Sequence, residues 1–235
     1  MLYINQNQIF MKKQIIVCLV LSLFFTTAFS QLTIIPKAGI SLTTISLSDD
    51  YLDGADKPGY KIGIIVGAGL EIEANKYLAI QPELLFHQKG FKSDYSNSGV
   101  TGKGSMTLNY IELPVLVKGK FENFYVNAGP SIGFGIGGKY NSEVSFQGNT
   151  DKESGNVKFG EDPNIMDDEV YFDNVIDFGL QMGGGVKAGP LVIDIRYGLG
   201  LSNLDDEPDG FSGDWKIKNR SFQFAIGFPI PMGGK

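Results

Sequence analysis

The sequence predicts an all-β fold: an eight-stranded antiparallel up-and-down transmembrane β-barrel with short periplasmic turns and long extracellular loops. Three observations predict it. Eight segments alternate apolar and polar residues with a period of two, which gives each strand one oily and one wet face. Their connections alternate long and short, so with an even number of antiparallel strands every long loop falls at one end. The wet faces are crowded with Gly, Ser and Asn, a poor soluble exterior but a suitable filling for a narrow interior. Composition agrees, since 31 glycines in 235 residues is about twice the usual 7% and disfavours helices.

Taken in order, Lys12 and Lys13 precede an apolar run from Ile15 to Phe25, and Ala28-Phe29-Ser30 offers a small-x-small cleavage site before Gln31. This predicts a secretory signal peptide within residues 1–30, with Met11 as its start, and a barrel domain over residues 31–235. The run is too short to span a bilayer as a helix. Cys18, the sole cysteine, leaves with the signal, which excludes a lipid-anchored cysteine, disulfides and thiol chemistry in the mature chain.

Strand one is expected over Thr33 to Thr44, followed by an acidic loop to Pro58. Strand two, Tyr60 to Glu73, turns at Ala74-Asn75-Lys76 into strand three, Tyr77 to Lys89. A Gly/Ser-rich loop is expected from Gly90 to Ser105. Strand four, Met106 to Lys118, is the least regular: Leu108 and Tyr110 share a face with Glu112 and Lys118 unless a bulge near Pro114 switches them. Strand five, Phe124 to Gly137, is the clearest. Phe124, Val126, Ala128, Pro130, Ile132, Phe134 and Ile136 alternate with polar or tiny residues, and at roughly 3.3 Å per residue and a 40° tilt it rises about 35 Å, enough to cross a membrane.

The next 35 residues, Gly138 to Phe172, show no sustained period and read as a long loop. Strand six covers Asn174 to Lys187, strand seven Leu191 to Leu201, and strand eight Lys216 to Ile230 after the acidic loop from Ser202 to Asp214. Tyr60, Tyr77, Tyr110, Phe124, Tyr171 and Trp215 are expected to form interfacial girdles.

With these elements in place the chain resembles the outer-membrane β-barrel family of Bacteroidetes-type bacteria that includes PorT-like proteins, often labelled porin family. The likeness rests on Gln81-Pro82-Glu83-Leu84-Leu85 with Lys89-Gly90, Leu108-Asn109-Tyr110-Ile111-Glu112-Leu113-Pro114, Ala128-Gly129-Pro130, Asp177-Phe178-Gly179, Arg196-Tyr197-Gly198-Leu199-Gly200-Leu201 and Lys218-Asn219-Arg220-Ser221-Phe222. The resemblance implies the outer membrane of a Gram-negative cell and, for PorT-like members, an involvement in protein secretion. The tail Pro231 to Lys235 departs from a terminal aromatic residue, leaving the barrel-assembly signal to Phe228 or Ile230.

Lys37, Lys61, Glu83, His87, Lys89, Asp194 and Arg196 are expected to face the lumen, where charges of both signs pair and plug it. A catalytic dyad on His87, the only histidine, needs a serine or carboxylate within about 3 Å. Glu83, four residues away on the same strand face, is some 13 Å distant, so no enzyme is expected. No metal-ligand spacing or cofactor motif is present. Gly133 to Gly138 matches GxGxxG but opens no helix, which a dinucleotide site requires. The loops are acidic, with Asp167, Asp168, Glu169, Asp205, Asp206 and Glu207 the candidates for a partner or for weak divalent-cation binding. Such a surface disfavours nucleic acid. The expected partners are outer-membrane lipid and other envelope or secretion-system proteins. The leading expectation is a structural or assembly barrel; a small-solute or ion channel is the alternative, disfavoured because eight strands leave no aqueous bore, and a lipid-modifying enzyme comes third.

Overall fold

A computed structural model describes residues 32–48, 57–97, 99–160, 169–205 and 216–232. The signal segment expected over residues 1–30 and Trp215 lie outside the described residues. The strands are β1 (Leu32–Leu47), β2 (Lys61–Asn75), β3 (Leu78–Asn97), β4 (Val100–Lys120), β5 (Phe124–Phe146), β6 (Asn149–Phe159), β7 (Val170–Phe172), β8 (Ile176–Ala188), β9 (Leu191–Gly200), β10 (Ile217–Gly227) and β11 (Ile230–Pro231). Of these, β1 to β5 and β8 to β10 close a ring in which each strand pairs antiparallel with the next, and β10 returns to β1 from Lys37↔Gly227 to Leu47↔Ile217. After Pro229, which has no N–H to give a ladder, β11 resumes pairing with β1 at Thr33↔Pro231 and Ile34↔Ile230.

The alternation decides which face is which. Ile62, Ile64 and Val66 of β2, Val115 and Val117 of β4, Phe178 and Met182 of β8, and Phe224 and Ile226 of β10 are exposed on the outside, while the charged and amide side chains between such positions are buried. This is the inside-out pattern of a barrel in lipid. Glycines fit the crowded interior at close approaches: a Cβ on Gly185 would collide with the Tyr125 phenol, and one on Gly135 would lie 2.6 Å from the Phe159 ring.

The structure corrects four expectations. No switch occurs near Pro114. Leu108, Tyr110, Glu112 and Lys118 all point inward, and the irregularity lies on β5, where Ile136 bulges between Tyr110↔Gly135 and Asn109↔Gly137. Tyr110 is therefore inside the barrel and not in a girdle. The Gly/Ser-rich stretch from Gly90 to Ser105 is largely strand, since β3 and β4 stay paired through Asp94↔Lys103 to Asn97↔Val100. The supposed loop from Gly138 also carries strand: β5 runs to Phe146, turns through Gln147 and Gly148, both at positive φ (49° and 85°), and returns as β6. Sequence period hides these pairings because both of their faces are mostly polar.

β3, β4, β5 and β6 thus continue past the ring as a four-stranded sheet. The last ladder pair holding β3 to β2 is Ile65↔His87, with a lone bridge above it at Gly59↔Lys92. This extracellular blade stands over one side of the mouth.

Candidate functional site

The lumen is filled by three charge clusters stacked along its axis. Nearest the short turns, Lys118 Nζ lies 2.6 Å from Glu71 Oε2 and donates to Gln81 Oε1 at 3.1 Å, Lys120 Nζ lies 3.0 Å from Glu71 Oε1, and Lys120 also pairs with Glu73. The middle cluster is tighter. Arg196 grips Glu83 with both terminal nitrogens (2.6 and 2.9 Å), Lys37 Nζ reaches Glu83 Oε1 at 2.6 Å, and Asp194 takes Arg196 Nη2 at 2.9 Å and the Tyr125 hydroxyl at 2.7 Å. Bidentate guanidinium-carboxylate geometry of this kind is the strongest ion-pair form. In the upper cluster Lys89 Nζ bridges Glu112 Oε1 (2.9 Å) and Asp177 Oδ2 (3.0 Å), His87 Nδ1 contacts Glu112 Oε2 at 2.9 Å, and Asn219 Nδ2 donates to Asp177 Oδ2 at 2.8 Å.

Above the clusters the interior turns apolar. Ile45, Leu108, Tyr110, Val157, Phe172, Leu204 and Ile217 form one buried group, with Phe159 packed against it. The Tyr110 and Phe159 rings meet edge to face at 5.3 Å. β6 and β7 supply Val157, Phe159 and Phe172, so the segment that reads as a loop is the lid. A cavity of about 10 Å³ beside the upper cluster, lined by Asp177, Gln181 and Asn219 among others, has room for a single water.

On the blade, register brings Asp94, Lys103, Glu143 and Lys152 into one row across β3 to β6. Lys152 and Glu143 pair at 3.0 Å. With Lys92, Ser105, Asn141 and Ser154 in the adjacent row, these residues line an open concavity of about 860 Å³.

The model of the outer membrane protein beta-barrel domain matches residues 26–206. The chain belongs to that family. This barrel is therefore a protein of the Gram-negative outer membrane, with its oily face in lipid. Among solved structures it is similar to Ail, the attachment invasion locus protein of Yersinia pestis (13% identity, 85% of this chain and 99% of that one, TM-score 0.40). It is also similar to CarO2 of Acinetobacter baumannii (15%, 84% and 99%, 0.41) and to OprG of Pseudomonas aeruginosa (9%, 86% and 97%, 0.32). No curated protein matches it in sequence.

Within this outer-membrane barrel Lys37, Glu83, Asp194 and Arg196 come together, and His87 and Lys89 join a separate cluster. Lys61 does not enter either; it lies half-buried towards the mouth and near Lys92. Sequence reasoning missed Glu71, Lys118, Lys120, Glu112 and Asp177. The signal was present, since Glu71 and Asp177 sit on the wet face of their strands, and strand four held back Glu112 and Lys118 only because its facing was left open. The His87 argument needs correcting as well: a carboxylate does lie within 3 Å, brought by the neighbouring strand. Glu112 is nevertheless shared with Lys89, and His87 has no exposed surface, so the pair is a buried hydrogen-bonded contact within the upper cluster.

Asp167, Asp168, Asp206 and Glu207 lie outside the described residues. Glu169 is engaged by Lys158 and by the Tyr171 hydroxyl, and the hydrogen bond from Lys158 holds its carboxyl below the usual range. Asp205 accepts from the Asp173 amide at 3.4 Å. Among the described residues no group of three or more His, Cys, Asp or Glu is placed to hold a metal ion.

Proposed function

We propose that this protein is a non-enzymatic structural or assembly component of the envelope, associated with secretion in the manner of the PorT-like barrels it resembles, which engages other envelope proteins through its extracellular side. The observation that carries the reading is the contrast between lumen and exterior. The bore is occupied along its length by paired charges and an apolar lid, so its interior serves stability. The blade, in contrast, extends β3 to β6 beyond what ring closure needs and offers a polar, mixed-sign concavity. Extra structure on a rigid scaffold is where binding roles concentrate.

The test is a crosslinked pull-down from native outer membrane with the intact chain and with one in which residues 139–171 are replaced by a short Gly/Ser turn. Partners recovered with the first and lost with the second support the reading. Equal recovery removes the extracellular side from it, and steady single-channel conductance of the intact protein would replace it with the solute-channel reading.

A further inference from the structure

The outer face of β10 changes character abruptly. Its outward positions read Lys218, Arg220, Phe222, Phe224 and Ile226, so two cations stand directly above the apolar run. On the neighbouring strands, Thr44 and Ser46 of β1 lie opposite Arg220 and Lys218, whereas Leu199 and Tyr197 of β9 lie opposite Arg220 and Phe222. The Tyr197 and Phe222 rings meet at 4.9 Å, tilted by 52°. The upper edge of the lipid-facing belt therefore runs between Phe222 and Arg220.

Arg220 is held in place there. Its Nη1 donates to the Gly200 carbonyl at 2.9 Å and to the Asn219 carbonyl at 2.8 Å. These two bonds fix one edge of the guanidinium against the barrel wall. Among the described residues no carboxylate pairs with Arg220 or Lys218. Two lysines near the mouth are engaged differently, Lys152 by Glu143 and Lys158 by Glu169.

We propose that Lys218 and Arg220, flanked by Ser46, bind the phosphate of a phosphorylated glycolipid in the outer leaflet; the Thr44 hydroxyl beside Arg220 is buried and donates to the Pro58 carbonyl at 3.1 Å. Alternate residues on a strand lie about 6.8 Å apart, a span over which two cations share one phosphate or diphosphate. The headgroup would sit at the level of the cations, and its acyl chains would run down over Tyr197, Phe222 and Phe224. An arginine fork is suited to phosphate and a lysine reinforces it as a point charge. A free anion has no use for the aromatic surface beneath, which is the reason to assign the site to a lipid. The inference rests on the outer-membrane setting and not on the blade, so a failed pull-down leaves it standing.

The experiment uses the full mature chain in nanodiscs of neutral phospholipid and measures binding of bisphosphorylated lipid A, of its dephosphorylated form and of inorganic pyrophosphate. The wild-type protein is expected to prefer the bisphosphorylated lipid, and K218Q/R220Q to bind it about tenfold to thirtyfold more weakly, since a surface cation near anionic lipid contributes about 1 kcal/mol. R220K should restore much of the loss when Lys218 is intact. If the double variant does not fold into a heat-modifiable barrel, K218Q alone decides, because Lys218 has no protein partner to lose among the described residues. Equal binding by wild type and variant, or equal binding of both lipids, overturns the proposal; so does competition by pyrophosphate at equal concentration, which would mark a free-anion site.

Discussion

At the scale of single residues, Glu83 carries the most. It accepts from Arg196 and Lys37 while fully enclosed, so Glu83→Gln leaves two buried cations short of a counter-charge. A loss of about 3 to 5 kcal/mol is expected, read from urea unfolding in lipid bilayers. By contrast Ser131→Ala, also inward, removes one hydroxyl and should cost little. Its neighbour Ile132 faces lipid between Leu113 and Phe178, and Ile132→Arg should cost about 2 to 4 kcal/mol in the same assay. Equal stability of these two variants would reverse the facing of β5. Much of this was legible from period two alone, because a buried Glu on a Gly-rich face must find a cation. The identity of the cation was not: Glu83 and Arg196 are 113 positions apart, and nothing local in either strand names the other.

At the scale of elements, the ring strands were readable and the blade was not. A strand in lipid must present apolar residues on every second position, whereas β6, with the sequence NTDKESGNVKF, has water on most of both faces and is held by its ladder to β5. Pattern reading fails where hydrophobic contrast is absent. The structure then changes what loop replacement means. Swapping residues 139–171 for a short turn leaves the β5 to β8 ladder from Phe124↔Val186 to Phe134↔Ile176 intact, so a heat-modifiable barrel should still form. It also removes Val157 and Phe159 from the lid and leaves Phe172 without its β6 neighbour. Hydrogen exchange of the Tyr110 and Leu108 amides should therefore quicken in the shortened protein while that of Glu83 stays slow; unchanged protection at Tyr110 would mean that the lid does not seal the mouth.

The whole molecule is a closed ring with a packed interior, and the expected electrical behaviour follows. The clusters and lid lie in series, so opening one leaves the others in place. Planar-bilayer recordings of the intact protein should show no steady conductance, and Glu83→Gln should show none either even though it is less stable. An open state in the wild type would contradict the series arrangement.

The seam between β1 and β10 has a consequence in time. It joins the first and last strands of the ring along eleven paired positions, from Lys37↔Gly227 to Leu47↔Ile217. Until it zips, the ion pairs that bridge distant parts of the chain, Lys37 with Glu83 and Glu83 with Arg196, lack one or more of their walls. An unclosed sheet would present those charges to hydrocarbon, where unpaired ions are prohibitively unstable. Partly assembled chains are therefore expected to stay out of the bilayer centre, with the final zippering of the first strand to the last coinciding with the pairing of the interior. Folding should be slow, as expected for such long-range closure, and any substitution that weakens the middle cluster should be felt mainly after closure, as faster escape from the finished barrel.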